Sequence, residues 1–231
     1  FKEADVFNNG QSSGVSTTLN WDTSRVTDMG SMFQDADAFN GNLSTRGLYW
    51  DTSAVTNIRN MFWKANVFNN GAATTVSTTL NWNTSRVTNM ENLFNQAPLF
   101  NGNLSSWNTS NVTDMDYMFN EARVFNNGSS SGVSPTLSWD VSSVTSMQNM
   151  FTNANRFNQN ISSWNTVSTT LMISMFQGAD VFNIDIGDWD VSNVTSMDNM
   201  FKNANASAFN QDLTCWDVST IESFTDFSSG S

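Results

Sequence analysis

The chain contains no histidine, a single cysteine at Cys215, and only 9 Lys plus Arg against 21 Asp plus Glu. Without imidazole it lacks the commonest general base and a common zinc ligand. One thiol makes neither a disulfide framework nor a cysteine pair for metal, and Cys215 has no basic neighbour in sequence to activate it. No P-loop is present, and acid pairs such as Asp185 and Asp188 are common on any acidic surface. These absences argue against an enzyme, and no cofactor or metal site is expected. The net charge of −12 disfavours nucleic acid and anionic membrane, which both require clustered positive charge. No run of 18 apolar residues occurs, so membrane insertion by this segment is not expected.

What the chain does have is one block of sequence repeated along almost its whole length. Tryptophans 21, 50, 82, 107, 139, 164, 189 and 216 recur with gaps of 29, 32, 25, 32, 25, 25 and 27 residues. The basic period is therefore 25 with insertions. Eight residues after each tryptophan stand Met29, Ile58, Met90, Met115, Met147, Met172, Met197 and Phe224. Further on come a Met-Phe pair such as Met118-Phe119, an alanine such as Ala122, and Phe-Asn as in Phe125-Asn126. A fixed period in this range implies units that bury their apolar faces against neighbouring units. The reading is a single repeat solenoid over residues 1–231, about eight coils, cut mid-repeat at both ends.

Within a repeat, Val26, Met29, Met32-Phe33, Ala36 and Phe39 are three or four residues apart, the stripe of a short helix. The alternation Val15, Thr17, Leu19, Trp21, Thr23, and again Val76, Thr78, Leu80, Trp82, Thr84, predicts a strand with one buried face. The expected fold class is α/β: a leucine-rich-repeat-like solenoid with one parallel sheet of short strands centred on the tryptophans and short helices opposite. Thr27, Thr56, Thr88, Thr113, Thr145, Thr170 and Thr195 precede the helical stripe. Acidic or amide residues three positions later, as at Thr113 and Asp116, predict helix N-caps rather than a flat ice-binding array.

The motif Ser-x-Val-Thr-x-Met-x-x-Met-Phe-x-x-Ala-x-x-Phe-Asn resembles the BspA-like leucine-rich repeat of microbial surface proteins, especially the 25-residue repeats associated with bacterial lipoproteins. The columns that carry it include Val112, Met115, Met118-Phe119, Ala122 and Phe125. The resemblance implies an α/β solenoid at a cell surface, engaged in adhesion or in host and matrix contact, without catalytic residues. The long insertions and Thr169 in place of valine depart from the plain unit.

Three polar features are candidates for contact. Asn8, Asn40, Asn69, Asn101, Asn126, Asn158, Asn183 and Asn210 should stack as a ladder bonding the backbone of the adjacent turn. The residues after each tryptophan, Asp22, Asp51, Asn83, Asn108, Asp140, Asn165, Asp190 and Asp217, should face outward as an acid and amide stripe. Such a stripe is either a solvated face or a surface for Ca²⁺ or glycans. Insertions at 8–14, 69–75 and 126–132 each carry Asn-Gly (Asn9-Gly10, Asn70-Gly71, Asn127-Gly128), the signature of a turn with positive φ. Together the stripe and these corners form the candidate contact surface. Sequons at Asn42, Asn83, Asn103, Asn111, Asn160 and Asn193 matter only in a host that glycosylates them.

The functional expectation is an extracellular or cell-surface repeat module that mediates adhesion or binds protein or glycan. A structural segment of an extracellular fibre, built from copies of the chain, is the alternative. An ice-binding solenoid is a minor one.

Overall fold

The computed structural model describes residues 2–4, 7, 19, 21–44, 50–72, 79–129, 136–204 and 209–230. Successive repeats lie on one another as coils, joined by single parallel bridges Asp28↔Asn57, Asn57↔Asn89, Asn89↔Asp114, Asp114↔Ser146, Ser146↔Leu171, Leu171↔Ser196 and Ser196↔Ser223. Among the described residues there is no helix and no strand longer than one bridge, hence no sheet. The expected α/β, leucine-rich-repeat-like architecture is therefore corrected. Each coil is a chain of turns.

The coil around Trp107 shows why. Its backbone closes three-residue turns: Trp107 N–H donates to the Leu104 carbonyl at 3.1 Å, Val112 to Thr109 at 2.9 Å, Met118 to Met115 at 3.2 Å, Ala122 to Phe119 at 3.0 Å and Phe125 to Ala122 at 3.0 Å. A helix would bond four residues back. Two residues prevent it, Tyr117 and Glu121, both at φ 56 in the left-handed region. Residues in that region recur ten and fourteen positions after each tryptophan, as at Asn60 and Lys64, Asn92 and Gln96, Asn149 and Asn153, Ser174 and Gly178, and Asn199 and Asn203. Placing an L-residue there costs roughly 1–2 kcal/mol. The offset is a bond along the stack: Tyr117 N–H reaches the Gln148 carbonyl of the next coil at 2.8 Å, and Glu121 N–H reaches Thr152 at 2.7 Å.

Turn chains and helices share a spacing of three and four between inward residues, which is how the apolar stripe came to predict a helix. The turn ends still point inward, so Met115, Met118, Phe119, Ala122 and Phe125 are fully buried. Two phenylalanine files run through the core. Phe119 stacks on Phe125 of its own coil at 3.8 Å between centroids, on Phe94 of the coil before at 5.7 Å and on Phe151 of the coil after at 5.6 Å. The tryptophans form a third file, as in Trp107 to Trp139 at 6.4 Å and Trp139 to Trp164 at 6.2 Å. Each indole N–H from Trp82 onward donates to a Leu or Ile carbonyl of the preceding coil, for example Trp107 to Leu80 at 2.8 Å and Trp164 to Leu137 at 2.8 Å. That satisfies the one polar atom that a buried tryptophan carries.

The strands expected around the tryptophans are absent among the described residues. In the long repeats the predicted strand is reduced to single bridges, Thr79↔Asn103 and Thr136↔Asn160. Val15, Thr17, Val76 and Thr78 lie outside the described residues. Among the described residues no helix is long and apolar enough to cross a membrane.

Candidate functional site

The asparagine ladder runs through the stack. The Oδ1 of Asn40 accepts the backbone N–H of Asn69 at 2.8 Å, and the same bond repeats from Asn101 to Asn126 at 2.8 Å, Asn126 to Asn158 at 3.1 Å, Asn158 to Asn183 at 3.0 Å and Asn183 to Asn210 at 3.1 Å. A side chain that accepts from the next coil's backbone is structural mortar. Asn8 lies outside the described residues.

The threonine column does not cap helices, because none are present among the described residues. Instead five of the seven hydroxyls donate to the threonine carbonyl of the preceding coil: Thr56 to Thr27 at 3.1 Å, Thr113 to Thr88 at 3.3 Å, Thr145 to Thr113 at 3.1 Å, Thr170 to Thr145 at 3.1 Å and Thr195 to Thr170 at 3.2 Å. A second, buried threonine column stands two positions after tryptophan. Thr23, Thr52, Thr84, Thr109 and Thr166 donate to the carbonyl of Asp51, Asn83, Asn108, Asp140 and Asp190 respectively, at 2.8 to 3.1 Å.

The acid and amide stripe faces outward: Asp22, Asn83, Asn108, Asp140, Asn165, Asp190 and Asp217 are exposed, and Asp51 is half-buried. Yet one oxygen of each is already engaged in its own turn. Oδ1 of Asp140 accepts the N–H of Ser142 at 3.0 Å and its hydroxyl at 2.6 Å, and Asp190 holds Ser192 at the same two distances. Asp22 and Ser24, Asn83 and Ser85, and Asn108 and Ser110 repeat this pair of bonds. Asp51, Asn165 and Asp217 make the backbone bond, to Ser53, Val167 and Ser219. The serine hydroxyls hold Asp22, Asp140, Asp190 and Asp217 below the usual carboxylate range. Among the described residues no three acidic or cysteine side chains gather as a metal site would require.

The Asn-Gly corners turn as expected and then point inward. Asn70 and Gly71 have φ of 49 and 78, and Asn127 and Gly128 have 48 and 78. Asn70 is buried and bonds the Leu43 N–H at 2.7 Å and the Ser44 hydroxyl at 2.8 Å; Asn127 repeats this with Leu104 and Ser105. Burial removes Asn70 and Asn127 from the contact surface, while Gly71 and Gly128 are half-buried and donate their N–H to Asn40 and Asn101. Asn9 and Gly10 lie outside the described residues.

One surface feature was not anticipated. A cavity of about 270 Å³ is lined by Asn66, Gln96, Pro98, Glu121 and Arg123. Its signal in the sequence is a run of misfits: Pro98 and Arg123 stand where other coils place Asp37, Asn66, Asn155 and Asp180. Trp63, the tryptophan outside the repeat column, is half-buried with the Lys64 ammonium 5.1 Å from its ring centre.

A family model described as "Mycoplasma protein of unknown function, DUF285" matches residues 1–79, 70–135 and 128–231. The chain belongs to that family. Three overlapping matches tile the whole sequence, and they replace the BspA-like leucine-rich-repeat assignment drawn from the motif. No curated protein and no solved structure matches the DUF285 chain.

Proposed function

We propose that this DUF285 chain is a non-enzymatic repeat module that acts outside the cell, binding protein or glycan through the surface of its stacked coils. The observation that supports this reading is where the repeated polar groups go. Thr, Asn and Asp side chains that recur in register are bonded to the next coil or to their own turn, so regular chemistry is consumed in building the stack. Recognition is then left to positions where the repeat is broken. Ice binding is disfavoured, since the exposed threonine hydroxyls already donate to carbonyls of the preceding coil.

The test is attachment. Beads carrying the chain should bind host cells or extracellular matrix, and antibody against it should label intact cells of the source organism. Failure of both measurements would overturn the reading. Concentration-dependent assembly into filaments without attachment would favour the fibre alternative.

A further inference from the structure

The cavity beside Pro98 arises from a break in a side-chain ladder. Fourteen and sixteen residues after each tryptophan, neighbouring coils lie edge to edge, because Lys64 N–H donates to the Asn95 carbonyl at 2.8 Å and Gln96 N–H to the Asn120 carbonyl at 2.7 Å. On either side of the gap the outer column is bridged: Asn66 Nδ2 donates to Asp37 Oδ1 at 2.7 Å, and Asn155 Nδ2 to Asp180 Oδ2 at 2.7 Å. Pro98 has no amide to continue the ladder. Arg123 turns instead to Glu121 of its own coil, at 3.4 Å. The result is an open notch of about 270 Å³.

Its size and lining select the occupant. The volume is just below the usual range for small-ligand pockets, about 300 to 1,000 Å³, so it suits one ring rather than an extended peptide. Asn66 and Gln96 each bring donors and an acceptor, Glu121 brings acceptors and Arg123 brings donors, while Pro98 adds an apolar ring to the lining. One positive and one negative side chain leave the lining neutral. An anion would face Glu121 and a chain of net charge −12, and a cation would face Arg123. A neutral ring of hydroxyls uses both charges and opposes neither. The Arg123 to Glu121 pair is long, with side chains 63% and 38% exposed, so little is lost when its partners are shared with a ligand.

We propose that this notch binds a single neutral pyranose unit at the end of a glycan, with Glu121 and Arg123 bonding adjacent hydroxyls and Pro98 beneath a C–H face. It rests on the binding-module reading and names the glycan site within it. The test is an amide NMR titration of the whole chain with glucose, galactose, N-acetylglucosamine and glucuronate at millimolar concentrations, appropriate to so small a ligand.

The expected result is a set of shifts confined to residues 64–67, 96–99 and 121–124, produced by at least one neutral sugar and more weakly by glucuronate. Glu121→Gln and Arg123→Gln should each weaken that binding tenfold or more. Pro98→Asn, which supplies the missing amide, should close the notch with the same effect. The amide spectrum of each variant away from the notch, unchanged, shows that the fold is retained. No neutral sugar shifting these amides, glucuronate binding tighter than the best neutral sugar, or full affinity in the three variants would overturn the proposal. If beads bind cells while the notch takes no sugar, the site fails and the module reading stands; if the notch takes sugar while beads bind nothing, the reverse holds.

Discussion

Replacing Ser174 with glycine should stabilise the protein, and the sign of that effect separates a stack of turns from a stack of helices. Ser174 sits at φ 54 inside the array, its N–H donating to the Asp198 carbonyl at 2.8 Å and its own carbonyl accepting the Thr152 hydroxyl at 2.6 Å. Glycine removes a left-handed strain of roughly 1–2 kcal/mol and loses about 0.4–1 kcal/mol through the freer unfolded chain, for a net gain between roughly 0 and 1.6 kcal/mol, centred near 0.8. In a helix the same change costs a few tenths of a kcal/mol or more. Four residues on, Gly178 occupies the second left-handed position at φ 64, and a Cβ there falls 2.3 Å from Asn153 Oδ1. Gly178→Ala should therefore cost about 1–2 kcal/mol from the backbone alone, with the displaced Asn153 side chain adding to it. Because Asn153 is itself left-handed, at φ 54, Asn153→Gly serves as the reference: Gly178→Ala measured in that background lacks the collision and reads the backbone part. Thermal unfolding followed by tryptophan fluorescence reads these changes, at about 2–4 °C per kcal/mol for a chain of this size. A destabilised Ser174→Gly together with a neutral or stabilised Gly178→Ala would refute the turn-based account.

Asn126→Ala removes the acceptor for the Asn158 N–H and for Gln159 Nε2 at 2.7 Å, and should cost about 1–3 kcal/mol in urea denaturation, whereas Asn126→Asp keeps both bonds and should cost less; equal costs would show that the ladder bond is idle. Phe119→Ala, in a fully buried site between two stacked phenylalanines, should cost about 3–5 kcal/mol, and Ala122→Leu should cost about 1–3 kcal/mol by overpacking, both measured by the same denaturation. Two carboxylates should respond to pH with opposite sign. Ser192 holds Asp190 below its ordinary value of 3.8, so its contribution is present above 3.8 and is lost as pH falls through the lower folded value; Ser192→Ala should return the titration, followed by NMR, toward 3.8. Burial pushes Asp116 above 3.8 despite the Ser146 hydroxyl, so its contribution is full below 3.8 and is lost as pH rises through the folded value; Asp116→Asn should stabilise at neutral pH and not in acid.

The inward set was legible from spacing alone. Met115, Met118, Phe119, Ala122 and Phe125 are buried because turn ends and helix faces both recur every three or four residues. What spacing cannot tell is the backbone between those residues, and there the predicted helix was wrong. The distinguishing signal lay in the intervening columns: Asn at 60, 92, 149, 153, 199 and 203, Asp at 35 and 226, and Gly at 178 and 230. These are the residue types that tolerate the left-handed region, and the repeats of Trp139, Trp189 and Trp216 carry them at both positions four apart, a pattern that does not fit a helix; the Trp107 repeat, with Tyr117 and Glu121, carries neither, so the signal was partial. The asparagine ladder was legible because an amide after a buried phenylalanine has few other partners. Burial of Asn70 and Asn127 was not, since their bonds to Leu43 and Leu104 depend on a neighbouring coil about 25 residues away.

A regular array makes its exceptions conspicuous, and under the proposed binding function this bears on where recognition would reside in the DUF285 chain. In a stack whose coils bond through identical columns, a residue that leaves its column forfeits a coil-to-coil bond and has no local packing reason to be there. Thr169 illustrates the harmless case: it replaces a core valine, is fully buried, and recovers a partner by donating to the Val144 carbonyl at 3.1 Å. Pro98 illustrates the other case, because it cannot continue the amide ladder that Asn66 and Asp37 form on one side and Asn155 and Asp180 on the other. The first departure is repaired within the fold and the second opens a cavity. Departures left unrepaired at the surface, not the repeated residues themselves, are therefore where the chain is free to meet something else.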